Sequence, residues 1–332
     1  MVNVESWLNA EVSKLEDNDE TLSFKTYKNY LDGVSSIILK EYGAPNVYLL
    51  NLKEKLESID KNINIQKDVD IEKIKSLLIN SWHTELNFLL PLKISGDMSR
   101  YSLHWAPVQM YYSLYLAIRA LFESARFEIK NTHEPTLKSI SNWIVNRNLF
   151  PYPWTCYCEG LSELKNCKFN NFKSDIKEVC ALSFPDDETS ESFYAKFLKT
   201  TRNKYFDDKK FRAGLKTKGG KPLKSFSKAN KQLIEQNLHK TTIFDCIYRL
   251  RIKSNYEEAE TYILSEMSKS DADKFYNSLK IVLTSSLLTL EYLIVKHMGK
   301  ERFKEIVESF ERVKRTDLFT NESIFLRKLY LI

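Results

Sequence analysis

Apolar residues recur three and four positions apart along much of the chain, a spacing that predicts helices. Leu31, Val34, Ile38 and Tyr42 form one such face, and Gly43 follows as the residue that would end the helix. Ile71, Ile74, Leu77, Leu78 and Trp82 repeat the pattern, with polar breaks near 17–20, 43–46 and 61–68. Residues 1–99 therefore read as an N-terminal helical layer. A stronger helix is predicted over 106–127, with Pro107 in its first turn and Val108, Tyr112, Tyr115, Arg119 and Phe122 on one stripe. Tyr and Arg on such a face read first as core residues with satisfied polar tips. Another helix is expected over 134–146, and between 150 and 160 two prolines and several aromatics predict an irregular capping loop.

The segment 241–263 begins with Thr241 as a candidate N-cap and continues helically. Phe244, Ile247 and Leu250 mark one side, and Ile252, Tyr256, Ala259 and Ile263 another, so this helix is expected to pack on two sides. Tyr248, Arg251 and Asn255 share a stripe, while Arg249 and Tyr256 share a second. Such a group could grip a phosphate through the guanidinium fork, or the arginines could pair with Glu257, Glu258 or Glu260. The most apolar run, 281–295, is shorter than a bilayer span and contains Glu291, so it reads as a buried core helix.

Composition narrows the choices. With 43% hydrophobic and 28% charged residues the chain is globular, and 8 Gly and 8 Pro in 332 residues favour helices over turn-rich folds. The Gly-rich phosphate loops, the HExxH zinc motif and the GxSxG nucleophile motif are all missing, so no cofactor is implied. Five cysteines and a polar start at Met1 fit a reduced, cytoplasmic protein. Cys156, Cys158, Cys167 and Cys180 lack the CxxC spacing of structural zinc, and no histidine pair has metal spacing. The charge is uneven: residues 202–240 hold twelve basic residues against three acidic ones, which accounts for the whole net charge of +6. Arg202, Lys204, Lys209, Lys210, Arg212, Lys216, Lys218, Lys221 and Lys224 are the candidate contacts to nucleic-acid phosphates, with Phe206, Phe211 and Phe226 available for stacking. The other reading of this stretch, whose core around Gly214–Lys224 is expected to be a loop, is a solvated insertion.

The string from Met110 to Phe122, Met-Tyr-Tyr-Ser-Leu-Tyr-Leu-Ala-Ile-Arg-Ala-Leu-Phe, resembles the tyrosine-rich helix of the HEPN superfamily, and Tyr248-Arg-Leu-Arg-Ile-Lys-Ser-Asn-Tyr256 resembles its later Arg-bearing helix. The resemblance implies an all-α, HEPN-like helical bundle, often dimeric, in which Arg steadies a phosphate and a following His handles the proton of a ribose 2′-OH without metal. Here Asn255 stands where that His is expected. Arg249, Arg251, Asn255 and Tyr256 are the candidate site residues. An Arg126…His133 pair lies past the tyrosine-rich helix, and His133 reads instead as the start of the next helix. The expected organisation is a bundle from 100–130 and 240–300, an insertion over 131–239 and C-terminal helices over 301–332. The expected function is engagement of RNA or another nucleic acid, in the sharper version as a metal-independent ribonuclease of a toxin or phage-defence system. A non-catalytic module that binds nucleic acid, a nucleotide or a partner protein is the alternative. A regulatory protein, a larger defence complex and a homodimer are the expected partners, and no membrane is.

Overall fold

The computed structural model describes residues 19–59, 63–94, 98–214, 226–257, 268–313, 319 and 321–332. Among the described residues the fold is all-α apart from one two-stranded hairpin. The first helix, α1 (Asp19–Tyr42), buries Leu31, Val34 and Ile38 as the periodicity requires, and Gly43 closes it at φ +93° with its N–H on Leu39 O at 2.7 Å. After α2 (Tyr48–Ile59), α3 (Ile71–Lys93) starts where Asp70 accepts the Lys73 amide at 3.0 Å, an N-cap that the sequence run supplies. A short turn, α4 (Met98–Tyr101), leads into α5 (Ala106–Ser124), with Pro107 in the first turn. Next come α6 (His133–Arg147), the hairpin strands β1 (Tyr157–Glu159) and β2 (Lys168–Asn170), α7 (Ser190–Ala213), α8 (Lys228–Gln236) and α9 (Ile243–Ile252). The chain ends with α10 (Lys269–Met298), α11 (Lys300–Val313) and α12 (Ser323–Leu331).

The central helix is α10. Every residue from 282 to 295 is buried, so the helix is enclosed on all sides, by α1, α2, α4, α5, α11 and α12. It is long and apolar enough to cross a membrane, and most of its apolar stretch lies inside the protein. Its polar residues find partners within the core: Thr289 donates to Ser285 O at 2.9 Å, and Ser286 accepts from Trp154 Nε1 at 2.9 Å. Trp154 comes from the aromatic loop, so that loop does cap the bundle, and part of it forms β1, paired antiparallel with β2.

Residues expected as an insertion, 131–239, contribute to the same core as the rest. Phe193, Tyr194, Phe197 and Leu198 of α7 pack with Tyr27 and Tyr30 of α1, and Leu137, Ile140 and Ile144 of α6 join them. The α1–α7 approach is close enough that a Cβ at Gly33 would meet Phe193 Cβ at 2.9 Å and Ser190 O at 3.0 Å. The basic stretch is also more helical than its composition suggests, because α7 runs on through Ala213 and α8 follows at Lys228. Residues 215–225 lie outside the described residues.

A charged cluster sits fully buried where α3, α10 and α12 meet. Arg327 donates through Nη1 and Nη2 to Glu85, the latter at 2.9 Å, and through Nε and Nη2 to Glu291 at 2.7 and 2.8 Å. Trp82 Nε1 adds a bond to Glu291 at 2.8 Å. All three charged side chains are 0% exposed. Burial pushes Glu85 above the ordinary carboxyl range in spite of the opposing Arg327 charge.

Candidate functional site

Three segments distant in sequence converge on one aromatic, positively charged cluster. The α5 helix presents Tyr111, Tyr112 and Tyr115; α9 presents Tyr248 and Arg251 one turn apart; and the first residue of α6 is His133. Arg251, only 8% exposed, donates Nη2 to Tyr112 Oη at 2.8 Å and lies 5.3 and 5.9 Å from the Tyr112 and Tyr111 ring centroids. Those distances fit cation–π contact, which fixes the guanidinium against the tyrosines. His133 Nδ1 hydrogen-bonds Tyr111 Oη at 2.7 Å, and the imidazole stacks on Tyr248 at 5.7 Å and packs at 4.8 Å on Tyr115. At the rim Arg119 reaches Asn131 at 2.6 Å.

The electrostatics favour a neutral imidazole. Burial, then the Arg251 charge, lowers the His133 pKa below its ordinary 6.5. Burial, and then the neighbouring tyrosines, raises that of Tyr111, which stays protonated. A neutral His133 bonded through Nδ1 to a phenol presents Nε2 either as a base, when Nδ1–H donates to Tyr111, or as a hydrogen-bond donor, when Tyr111 donates to Nδ1. The position at the start of α6 adds the positive field of a helix N-terminus.

The start of α9 is rigidly set. Asp245 accepts the Thr242 amide at 2.7 Å in a capping box, and its carboxylate also takes His239 Nε2 at 2.7 Å and Ser141 Oγ at 3.1 Å. The cap is thus Thr242, one residue after the expected Thr241, whose backbone instead pairs with Cys158.

The structure keeps only part of the expected residue group together. Arg251 and Tyr248 share the site, but Arg249 points the other way, 5.6 Å from the Tyr27 ring of α1. Residues two positions apart on an α-helix stand about 200° apart, at 3.6 residues per turn. Asn255 falls in a π-helical turn, Lys253–Glu257, and is half-buried. The Tyr256 side chain lies outside the described residues. His133, read from the sequence only as a helix start, is the residue that joins Arg251.

The basic residues also divide. Arg202 is buried and donates to Gly160 O and, at 2.8 Å, to His239 O; it is a structural tie and leaves the set of nucleic-acid contacts. Its long side chain satisfies carbonyls that the hairpin and the α9 entry would otherwise leave buried. On the surface Lys204 pairs with Asp208 at 3.3 Å, and Lys210 with Asp207 at 2.7 Å and Glu163 at 3.1 Å. Lys209 and Arg212 both meet Glu134, the neighbour of His133, so the basic end of α7 lies beside the aromatic cluster. Lys216, Lys218, Lys221 and Lys224 lie outside the described residues.

Among the described residues no three His, Cys, Asp or Glu side chains gather to hold a metal ion. No protein-family model matches the chain, and no curated protein or solved structure is similar to it.

Proposed function

We propose that this is a HEPN-like protein that engages RNA at the Arg251–His133–tyrosine cluster and cleaves it without metal. The observation that carries the reading is the meeting of Arg251 with His133 on Tyr111 and Tyr112. In this reading Arg251 holds a backbone phosphate, His133 Nε2 takes the proton of the adjacent ribose 2′-OH, and the tyrosine faces stack the flanking bases. His133 thereby fills the role that the resemblance assigns to the position of Asn255. The basic end of α7 and the lysines that follow it draw the strand in. A toxin or phage-defence setting, with a second copy or a regulatory protein over the cluster, belongs to the same proposal.

A second reading, phosphate or nucleotide binding without turnover, is favoured by one observation: Arg251 is mostly buried and already bonded to Tyr112. Incubation with RNA in EDTA, resolved on a denaturing gel beside Arg251→Lys and His133→Ala, separates the two. Cleavage by the wild type that both substitutions remove supports the ribonuclease; intact RNA that is nevertheless bound supports the second reading. RNA neither cut nor bound overturns both.

Three further outcomes are expected. Because the folded His133 titrates below 6.5, the acid limb of the cleavage rate should lie below that pH, and a limb at or above 6.5 would exclude this base. The same downward shift makes His133 cost the folded state stability as pH falls through 6.5 towards its folded pKa, a loss that His133→Ala should remove from the unfolding curve. Neutralising Lys216, Lys218 and Lys221 together should weaken binding alike across RNA sequences and reduce the salt slope of log K by about 2, at roughly 0.7 per single-strand phosphate. An unchanged slope would remove this loop from the interface.

A further inference from the structure

The β1–β2 hairpin brings two thiols together. Cys158, in β1, is buried; Cys167, immediately before β2, is half-exposed; their sulfurs are 3.4 Å apart, against about 2.05 Å in a disulfide bond. Gly160 permits the approach. It adopts φ +75°, and a Cβ there would stand 1.9 Å from Asn166 O and 3.0 Å from Cys167 Cα. The hairpin is also held from outside, since Cys158 exchanges both backbone hydrogen bonds with Thr241 at 3.0 Å and Gly160 O accepts from Arg202.

The chemistry of the two thiols differs. Donation from the Cys158 thiol, with the nearby Lys199 and Arg202 charges, pulls Cys167 down to about 7, while that bond and burial push Cys158 up. A solvent-reachable thiolate beside a protonated thiol is the arrangement of an attacking and a resolving cysteine.

We propose that Cys167 and Cys158 are a peroxide-responsive pair that closes to a reversible disulfide. The Cys167 thiolate attacks one oxygen of hydrogen peroxide, the O–O bond breaks, and Cys167 becomes a sulfenic acid. The departing hydroxide takes up the proton that Cys167 had released and leaves as water. Cys158 sulfur then attacks Cys167 sulfur, the S–O bond breaks, and the Cys158 proton departs with the hydroxyl as a second water. Two thiols are oxidised by two electrons and one peroxide is reduced to two waters; a small dithiol reverses the bond. The sulfurs must close by about 1.4 Å, from 3.4 Å to about 2.05 Å, within a hairpin of eight intervening residues. Once closed, the bond ties both arms of the hairpin to the segment entering α9.

The test uses the full chain, purified reduced, exposed to stoichiometric hydrogen peroxide, alkylated and digested without reductant. The expected product is a linked peptide joining Cys158 to Cys167 that dithiothreitol separates, with the exposed Cys180 recovered as a free alkylated thiol. In Cys158→Ser, Cys167 should instead be captured by dimedone as a sulfenic acid. Recovery of both Cys158 and Cys167 as free thiols, or a bond from either to Cys180, overturns the proposal. Should Cys158→Ser fail to fold, the wild-type peptide map decides alone.

Discussion

Arg327→Ala is expected to lower folding stability by about 3–5 kcal/mol, the usual cost of removing one partner from a buried charge pair. Two carboxylates, Glu85 and Glu291, would remain in the core without a cation, and Trp82 Nε1 alone cannot replace the guanidinium. For a fold held by roughly 5–15 kcal/mol this is a large fraction. Urea unfolding of wild type and variant measures it. In the variant Glu85, already raised by burial, loses the opposing Arg327 charge and should titrate higher still, so acidification neutralises it and the deficit should shrink as pH falls. A deficit below 1 kcal/mol, or one independent of pH, would mean that the three charges are not held as described. Replacing all three with apolar residues of similar volume should be far milder than the single change, because no orphaned charge remains.

The second large effect concerns the candidate site. His133→Ala should reduce RNA cleavage by about 10²–10⁴-fold, the range for losing a general base, while RNA affinity changes little. Arg251→Lys keeps the charge but loses the planar fork that reaches Tyr112, so it should weaken both RNA binding and cleavage. Melting curves must accompany both, because Arg251 is nearly buried. Loss of binding in His133→Ala equal to the loss of cleavage would assign the imidazole to holding RNA and not to proton transfer.

Much of the helical framework was legible because a 3.6-residue period repeats along α1, α3 and α5, and α10 stands out as the most apolar run. Glu291 inside the most apolar run was legible as an argument against a membrane span, but its partners, Glu85 and Arg327, lie 206 and 36 residues away and leave no local trace. The site shows the same divide. Tyr248 and Arg251 are one helical turn apart, so their shared face could be read directly. His133 arrives from another segment, and only the packing of α6 against α5 and α9 brings it to Tyr111. Past Ile252 the α-helical period gives way to a π-helical turn that nothing in Lys253–Glu257 announces. Composition misled at Arg202, where a basic stretch suggested surface charge and the side chain instead ties two buried loops.

The position of Arg327 also bears on biosynthesis. Glu85 and Glu291 are synthesised 242 and 36 residues before Arg327, so a chain interrupted before residue 327 would either keep its central helix α10 unpacked or hold both carboxyls in the core without that guanidinium. Release of a truncated product would therefore yield a less stable polypeptide, more open to proteolysis. The bundle that positions Arg251 against His133 would reach its full stability only after translation has passed residue 327.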